Sequence, residues 1–216
     1  MTMKKLSVKK MVLLAMLAAI AYMIVALVRI PVVLFLKYEP KDVIITIGGF
    51  LLGPAASFIT SLLVSLLEMV TISENGPIGC LMNLLSTCSF ACVAAFIYKK
   101  QHTLKGAVLG LCAGSVFMIG VMLLWNWLIT PLYMGVPRSA VEGMLLPAFL
   151  PFNALKATVN SALTLVLYKP LVTALRKTRL VEPGNSAGKS KTGIYLICAG
   201  ILLTCIFLLL VWKGKL

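Results

Sequence analysis

Acidic residues are scarce in this 216-residue chain: six Asp and Glu stand against twenty Lys and Arg. The six are scattered, without a DxxD-type pair, so the paired acid–base work of a lipid-modifying membrane transferase has little to draw on. A single histidine, His102, sits in a basic loop, which leaves a histidine-based metal site or Ser–His catalysis equally short of groups. No CxxC occurs among Cys80, Cys88, Cys92, Cys112, Cys198 and Cys205. All six lie inside apolar runs and read as small apolar fillers rather than disulfides or metal ligands. A phosphate-binding loop is missing too. Gly184 to Ser190 reads G-x-x-x-G-K-S, one residue short between the glycines and with no strand before it. The chain is therefore read as non-enzymatic, with no catalytic residue, no metal and no ATPase of its own.

What is abundant is apolar surface. The sequence is 61% hydrophobic with a mean hydropathy of +1.04, more than a soluble domain of this size can hide. Spans are predicted at 8–29, 43–53, 54–73, 77–98, 106–129, 149–174 and 193–212, several of them near the ~18–20 apolar residues needed to cross a bilayer. The first follows Lys4, Lys5, Lys9 and Lys10 and mimics a signal peptide, but its apolar run continues to Val28 and reads as a retained helix. The second is short, contains Gly48 and Gly49, and meets the third at Gly53-Pro54. A helix that short has to sit partly in the protein interior, either separate from the third or as one bent unit with it. The fold class is thus all-α, a polytopic membrane helix bundle. Residues 1–178 form a six-helix domain, 179–192 a polar cytoplasmic linker, and 193–216 carry an additional C-terminal transmembrane helix.

The net charge of +14 does not form a nucleic-acid-binding stripe. It is spread between spans, which fits topogenic signalling and contact with an anionic bilayer. The N-terminal tail, the 99–105 loop and the 175–192 segment are basic and fall on one side if six spans alternate. The opposite loops are nearly balanced, Lys37 and Lys41 meeting Glu39 and Asp42, and Arg138 meeting Glu142. The positive-inside rule makes the N-terminus cytoplasmic and places 30–42, 74–76 and 130–148 outside.

Polar residues within the spans crowd toward that outer side. Glu68 lies near the outer end of the third span, and Asn83, Ser86 and Thr87 near the outer start of the fourth. Asn126 lies near the outer end of the fifth, and Asn153, Lys156 and Asn160 in the first turns of the sixth. Intramembrane amides and charges are costly and mark function or helix contacts. The spacing i, i+3, i+7 puts Asn153, Lys156 and Asn160 on one helix face. A lysine there has three uses: snorkelling to headgroups, pairing with Glu68, or donating to a bound polar ligand. The flanking amides, which both donate and accept, favour the third. Ser57, Ser61 and Ser65 at i, i+4, i+8 read as close helix packing. Trp125, Trp127 and Tyr133 read first as an interfacial belt, with stacking on a flat ligand as the sharper alternative. Ala15, Ala18, Ala19 and Ala26 fall on one face of the first span, suited to packing within the chain or to docking a separate membrane subunit.

These residues together resemble the riboflavin-specific S components of energy-coupling factor (ECF) transporters. The resemblance covers roughly residues 8–175. It rests on Lys37-Tyr38-Glu39-Pro40-Lys41-Asp42-Val43, on Leu52-Gly53-Pro54, and on Asn83. Most specifically, it rests on Asn126 with Thr130-Pro131-Leu132-Tyr133-Met134-Gly135, and on Pro151-Phe152-Asn153-Ala154-Leu155-Lys156. It implies a six-helix substrate-binding subunit in a bacterial plasma membrane, binding riboflavin or FMN from outside as transported ligand rather than cofactor. Its implied partners are a membrane coupling (T) subunit and two cytoplasmic ATPases. Carried over, Asn126, Asn153 and Lys156 contact the ligand, and residues 38–43, with Tyr38, Glu39, Asp42 and Val43, form a lid. Asn160, Asn83 and Glu68 complete the expected pocket. The alanine stripe docks the coupling subunit, though Tyr22 interrupts it, and the seventh span departs from the six-helix pattern. The same fold with another vitamin, such as pantothenate, a folate or a thiamin precursor, is the alternative reading.

Overall fold

A computed structural model of the chain describes residues 8–33, 36–73 and 75–177. The linker at 179–192 and the span at 193–212 lie outside them. The element order is α1 (Val8–Leu27), the hairpin β1 (Ile30–Val33) and β2 (Leu36–Tyr38), α2 (Lys41–Leu52), α3 (Pro54–Thr71), α4 (Gly76–Lys100), α5 (Leu104–Met134), α6 (Arg138–Met144), a π-helical turn (Leu145–Phe149) and α7 (Leu150–Lys177). Among these, α1, α3, α4 and α5 are long and apolar enough to cross a membrane. The other two predicted spans differ from them for separate reasons. Helix α2 has 12 residues, about 18 Å at a rise of ~1.5 Å per residue. Helix α7 has 28, ample in length, but it carries Lys156 and two amides on its inward face.

The centre of the bundle is α2. Every residue from Lys41 to Phe50 is buried, and the helix touches α1, α3, α4 and α7. A helix apolar on nearly all sides belongs in an interior, and surrounding helices spare it contact with lipid. Gly53 ends it at φ 96°, ψ 171°, a conformation open to glycine. Pro54 then starts α3, where its missing N–H costs nothing. The second and third spans are thus two helices at a sharp corner, not one bent unit.

Small residues set the spacing between helices. A Cβ at Gly110 or Gly114 would fall 2.6 or 2.5 Å from the carbonyl oxygens of Ala94 and Phe90, so α5 lies directly on the α4 backbone. Ser57, Ser61 and Ser65 are all buried, and Ser57 donates to the Ile45 carbonyl. The packing reading of the serines therefore holds. The main core runs through Leu13, Leu17, Ile45, Phe90, Leu111 and Met118.

Two segments read as outer loops are structured. The 30–42 segment begins as an antiparallel hairpin pairing Ile30 with Tyr38 and Pro31 with Lys37, a small addition to an otherwise helical fold. In the 130–148 segment, α5 runs past its expected stop at 129 and through Pro131 to Met134. The proline removes one hydrogen bond near the helix end, and Gly135 at φ 64° closes it. Helix α6 and the π turn follow. Leu36 of the hairpin packs with Val141, Phe149 and Phe152 in a second, separate core, which caps one end of the bundle.

Candidate functional site

Beneath that cap lies a cleft. It is lined by Arg29, Leu36, Lys37 and Glu39 from the end of α1 and the hairpin, and by Ser73 and Asn75 from the α3–α4 turn. Gly79, Met82, Asn83 and Ser86 line it from α4, Met122 and Asn126 from α5, and Phe152, Asn153 and Lys156 from α7. Five predicted residues reach it: Glu39, Asn83, Asn126, Asn153 and Lys156. The helical period explains the α7 pair, because a spacing of three keeps both side chains on the face turned toward α4 and α5.

Tyr38, Asp42, Val43, Glu68 and Asn160 do not line the cleft. They are buried behind it. The reason is electrostatic. Lys41 and Asp42, read as charges of an outer loop, form the first turn of α2 at 1% exposure each. Buried charges have to be paired, and each draws partners inward. Lys41 Nζ lies 2.6 Å from both Glu68 carboxylate oxygens and 2.8 Å from Glu39 Oε2. Asn83 Nδ2 donates to Glu68 Oε2 at 2.8 Å, and Arg29 Nε sits 3.2 Å from Glu39 Oε1. Asp42 Oδ1 accepts from Thr87 at 2.7 Å. Its Oδ2 accepts from Asn160 at 3.1 Å and faces Lys156 Nζ at 3.1 Å. Tyr38 donates to Asn160 Oδ1 at 2.8 Å. Burial, and then the Asp42 carboxylate, push the Tyr38 hydroxyl well above its ordinary range, which keeps it protonated and donating.

The network thus balances Arg29, Lys41 and Lys156 against Glu39, Glu68 and Asp42, three charges of each sign. The suggested Lys156–Glu68 pair does not form, because Lys41 already occupies Glu68 and Asp42 is the anion nearest Lys156. Of the residues read as a lid, 41–43 lie in the buried first turn of α2 and 38–40 precede that helix.

The cleft wall keeps unused hydrogen-bonding capacity. Asn126 donates to the Met122 carbonyl and accepts from Thr130. Asn153 donates to the Phe149 carbonyl. Each amide therefore retains both a donor and an acceptor, since an amide offers two N–H groups and two lone pairs. Apolar contact comes from Met82, Met122, Leu36 and Phe152. The tryptophans do not supply it. Trp127 donates to Glu142 and lies under Arg138, and Trp125 packs against the main core.

Arg29, Lys37 and Phe152 were not expected as lining residues. Arg29 had a legible signal, a lone arginine closing an apolar span, but only the hairpin fold returns it to the cleft. On α1, Ala15, Ala19 and Ala26 are exposed while Ala18 is 5% exposed within the main core. The Ala18 Cβ packs inside the bundle, whereas the other three alanines of the stripe face outward. Tyr22 is half-buried and donates to Thr71 of α3, which turns its ring toward that helix.

The chain matches the family model described as "ECF transporter, substrate-specific component" over residues 9–168. It is 28% identical over 178 residues to "Riboflavin transporter RibU" of Staphylococcus aureus (strain TCH60), covering 78% of this chain and 93% of that protein. It is 27% identical over 190 residues to "Riboflavin transporter FmnP" of Bacillus subtilis (strain 168), covering 81% and 100%. A solved structure, "Structure and mechanism of the S component of a bacterial ECF transporter", superposes with a TM-score of 0.66 at 28% identity, covering 78% of this chain and 98% of that one.

Proposed function

The chain belongs to the substrate-specific components of ECF transporters, and from that premise we propose that it is the subunit that captures riboflavin at the outer face of the membrane for uptake. As a member of that family it is a multi-pass membrane protein, a transporter component rather than an enzyme, working with the subunits of an ECF module. In the finer reading that module is one membrane coupling subunit and two cytoplasmic ATPases. The N-terminus is cytoplasmic, which makes the capped end the outer end. Ala15, Ala19 and Ala26 face the coupling subunit.

The observation that carries the ligand is the cleft wall. Asn126 and Asn153 keep a donor and an acceptor each, and Lys156 adds a cationic donor. An isoalloxazine ring presents carbonyls, ring nitrogens and an imide N–H along one edge, which such a set satisfies, while Met82, Met122 and Phe152 cover its apolar rim. The names of the two relatives support the same vitamin. Riboflavin is transported, not used as a cofactor, and ATP hydrolysis on partner chains drives its release inside.

The test is direct. The chain purified from riboflavin-fed cells is expected to be yellow, with a flavin absorbance spectrum, and the flavin-free protein is expected to quench added riboflavin at nanomolar concentrations. A colourless protein without such quenching overturns the assignment. Competition by FMN, pantothenate, a folate and a thiamin precursor then ranks the alternatives.

A further inference from the structure

We propose that Asp42 is a positioning residue for ligand capture, holding the Lys156 ammonium at the cleft wall without touching the ligand itself. The proposal rests on the riboflavin-binding reading above. Asp42 is 1% exposed and does not line the cleft, whereas Lys156 does. An ammonium has three N–H donors. Ser86 Oγ at 3.2 Å accepts from one of them, and the Asp42 carboxylate, with Oδ2 at 3.1 Å, holds the ammonium as its counter-ion, which leaves donor capacity for a group in the cleft. Lysine is a flexible point charge on a four-carbon stem, so its aim depends on what anchors it. The anchor is itself fixed on both oxygens, by Thr87 on one and Asn160 on the other. Asp42 also lies in the first turn of α2, the helix at the centre of the bundle, so the ammonium is referred to the most buried element of the fold.

The pairing has a second consequence. Asp42 neutralises Lys156 within the fold, so a neutral ligand such as riboflavin enters without bringing a counter-charge. A site built to hold an anion would leave the lysine charge open to it. Asp42 thus favours the uncharged edge of a ring over a carboxylate or phosphate at this position.

The experiment is a double-substitution cycle on the full-length chain in detergent, read by riboflavin titration. Asp42→Asn is expected to weaken binding at least tenfold in the wild-type background and less than twofold in a Lys156→Gln background. Thr87→Val, a buried isosteric change, is expected to weaken binding about threefold in the wild type and not at all in Lys156→Gln. Equal losses in both backgrounds overturn the proposal, since Asp42 would then act by another route. A flavin-independent arm labels the amines with acetic anhydride and reads sites by mass spectrometry. Lys156 is expected to label several-fold faster in Asp42→Asn, with Lys41 unchanged as the control for general loosening. An unchanged Lys156 rate overturns the proposal even where an affinity is too weak to measure. A wild-type chain that binds no riboflavin counts against the functional reading alone.

Discussion

The two ends of α2 are buried alike and built from opposite materials. At the hairpin end, Lys41 and Asp42 sit among four further charges and a set of amides. At the other end Phe50 stacks on Tyr98 at 4.4 Å and meets Tyr168 edge-on at 5.9 Å. There the Tyr98 and Tyr168 hydroxyls pair at 2.8 Å. Packing aromatics is the less costly way to join helices, since buried ion pairs often return no more than their desolvation costs. Among the described residues, the costlier solution is confined to the hairpin end of α2. That end is where the cleft lies.

The comparison predicts that substitutions at the hairpin end change ligand affinity, while those at the aromatic end change stability alone. The largest expected effect is Lys41→Met. It leaves Glu68 buried without its cation, beside a Glu39 that keeps only Arg29, and should cost about 3–5 kcal/mol, read as a lowered Tm in detergent together with lost riboflavin binding. Restoring charge balance with Glu68→Gln in the same chain should recover part of that Tm. Next comes Phe50→Leu, expected to lose about 1–1.5 kcal/mol of stability with the aromatic stacking while riboflavin affinity stays within twofold. An affinity loss as large as the stability loss would break the distinction between the ends. Tyr38→Phe removes one buried hydrogen bond behind the cleft, about 1 kcal/mol, and should weaken binding roughly fivefold with a Tm loss no larger than that of Phe50→Leu. The smallest effect is expected for Tyr168→Phe, which leaves Tyr98 part-buried with one partner fewer. It should cost about 0.5 kcal/mol and leave riboflavin titrations unchanged.

Each set of residues was legible to a different depth. The Asn153–Lys156 pair was readable because helical periodicity is a local property, and three residues apart on one helix means one face. Asn126 and Asn83 were readable because an amide inside an apolar span is conspicuous. Lys41 and Asp42 were misplaced because the same physics reads differently in a loop. Four alternating charges between two spans look like a solvated, self-balancing segment, and no local rule distinguishes that from a helix start buried among distant partners. Glu68 lies 27 residues from Lys41 and Asn160 lies 118 from Asp42.

By itself the sequence determined that this chain is a membrane helix bundle, that it breaks at Gly53-Pro54, and that its intramembrane polar groups gather toward one end. Those facts follow from hydropathy, from glycine and proline geometry, and from the cost of polar groups in lipid, all of which act over a few turns of chain. Only the tertiary structure decided which of those polar groups line the cleft and which stand behind it. That division comes from charge pairing across α2, α3, α4 and α7. A buried charge takes whatever counter-charge the fold brings within reach, and reach is a property of the packed bundle rather than of sequence spacing.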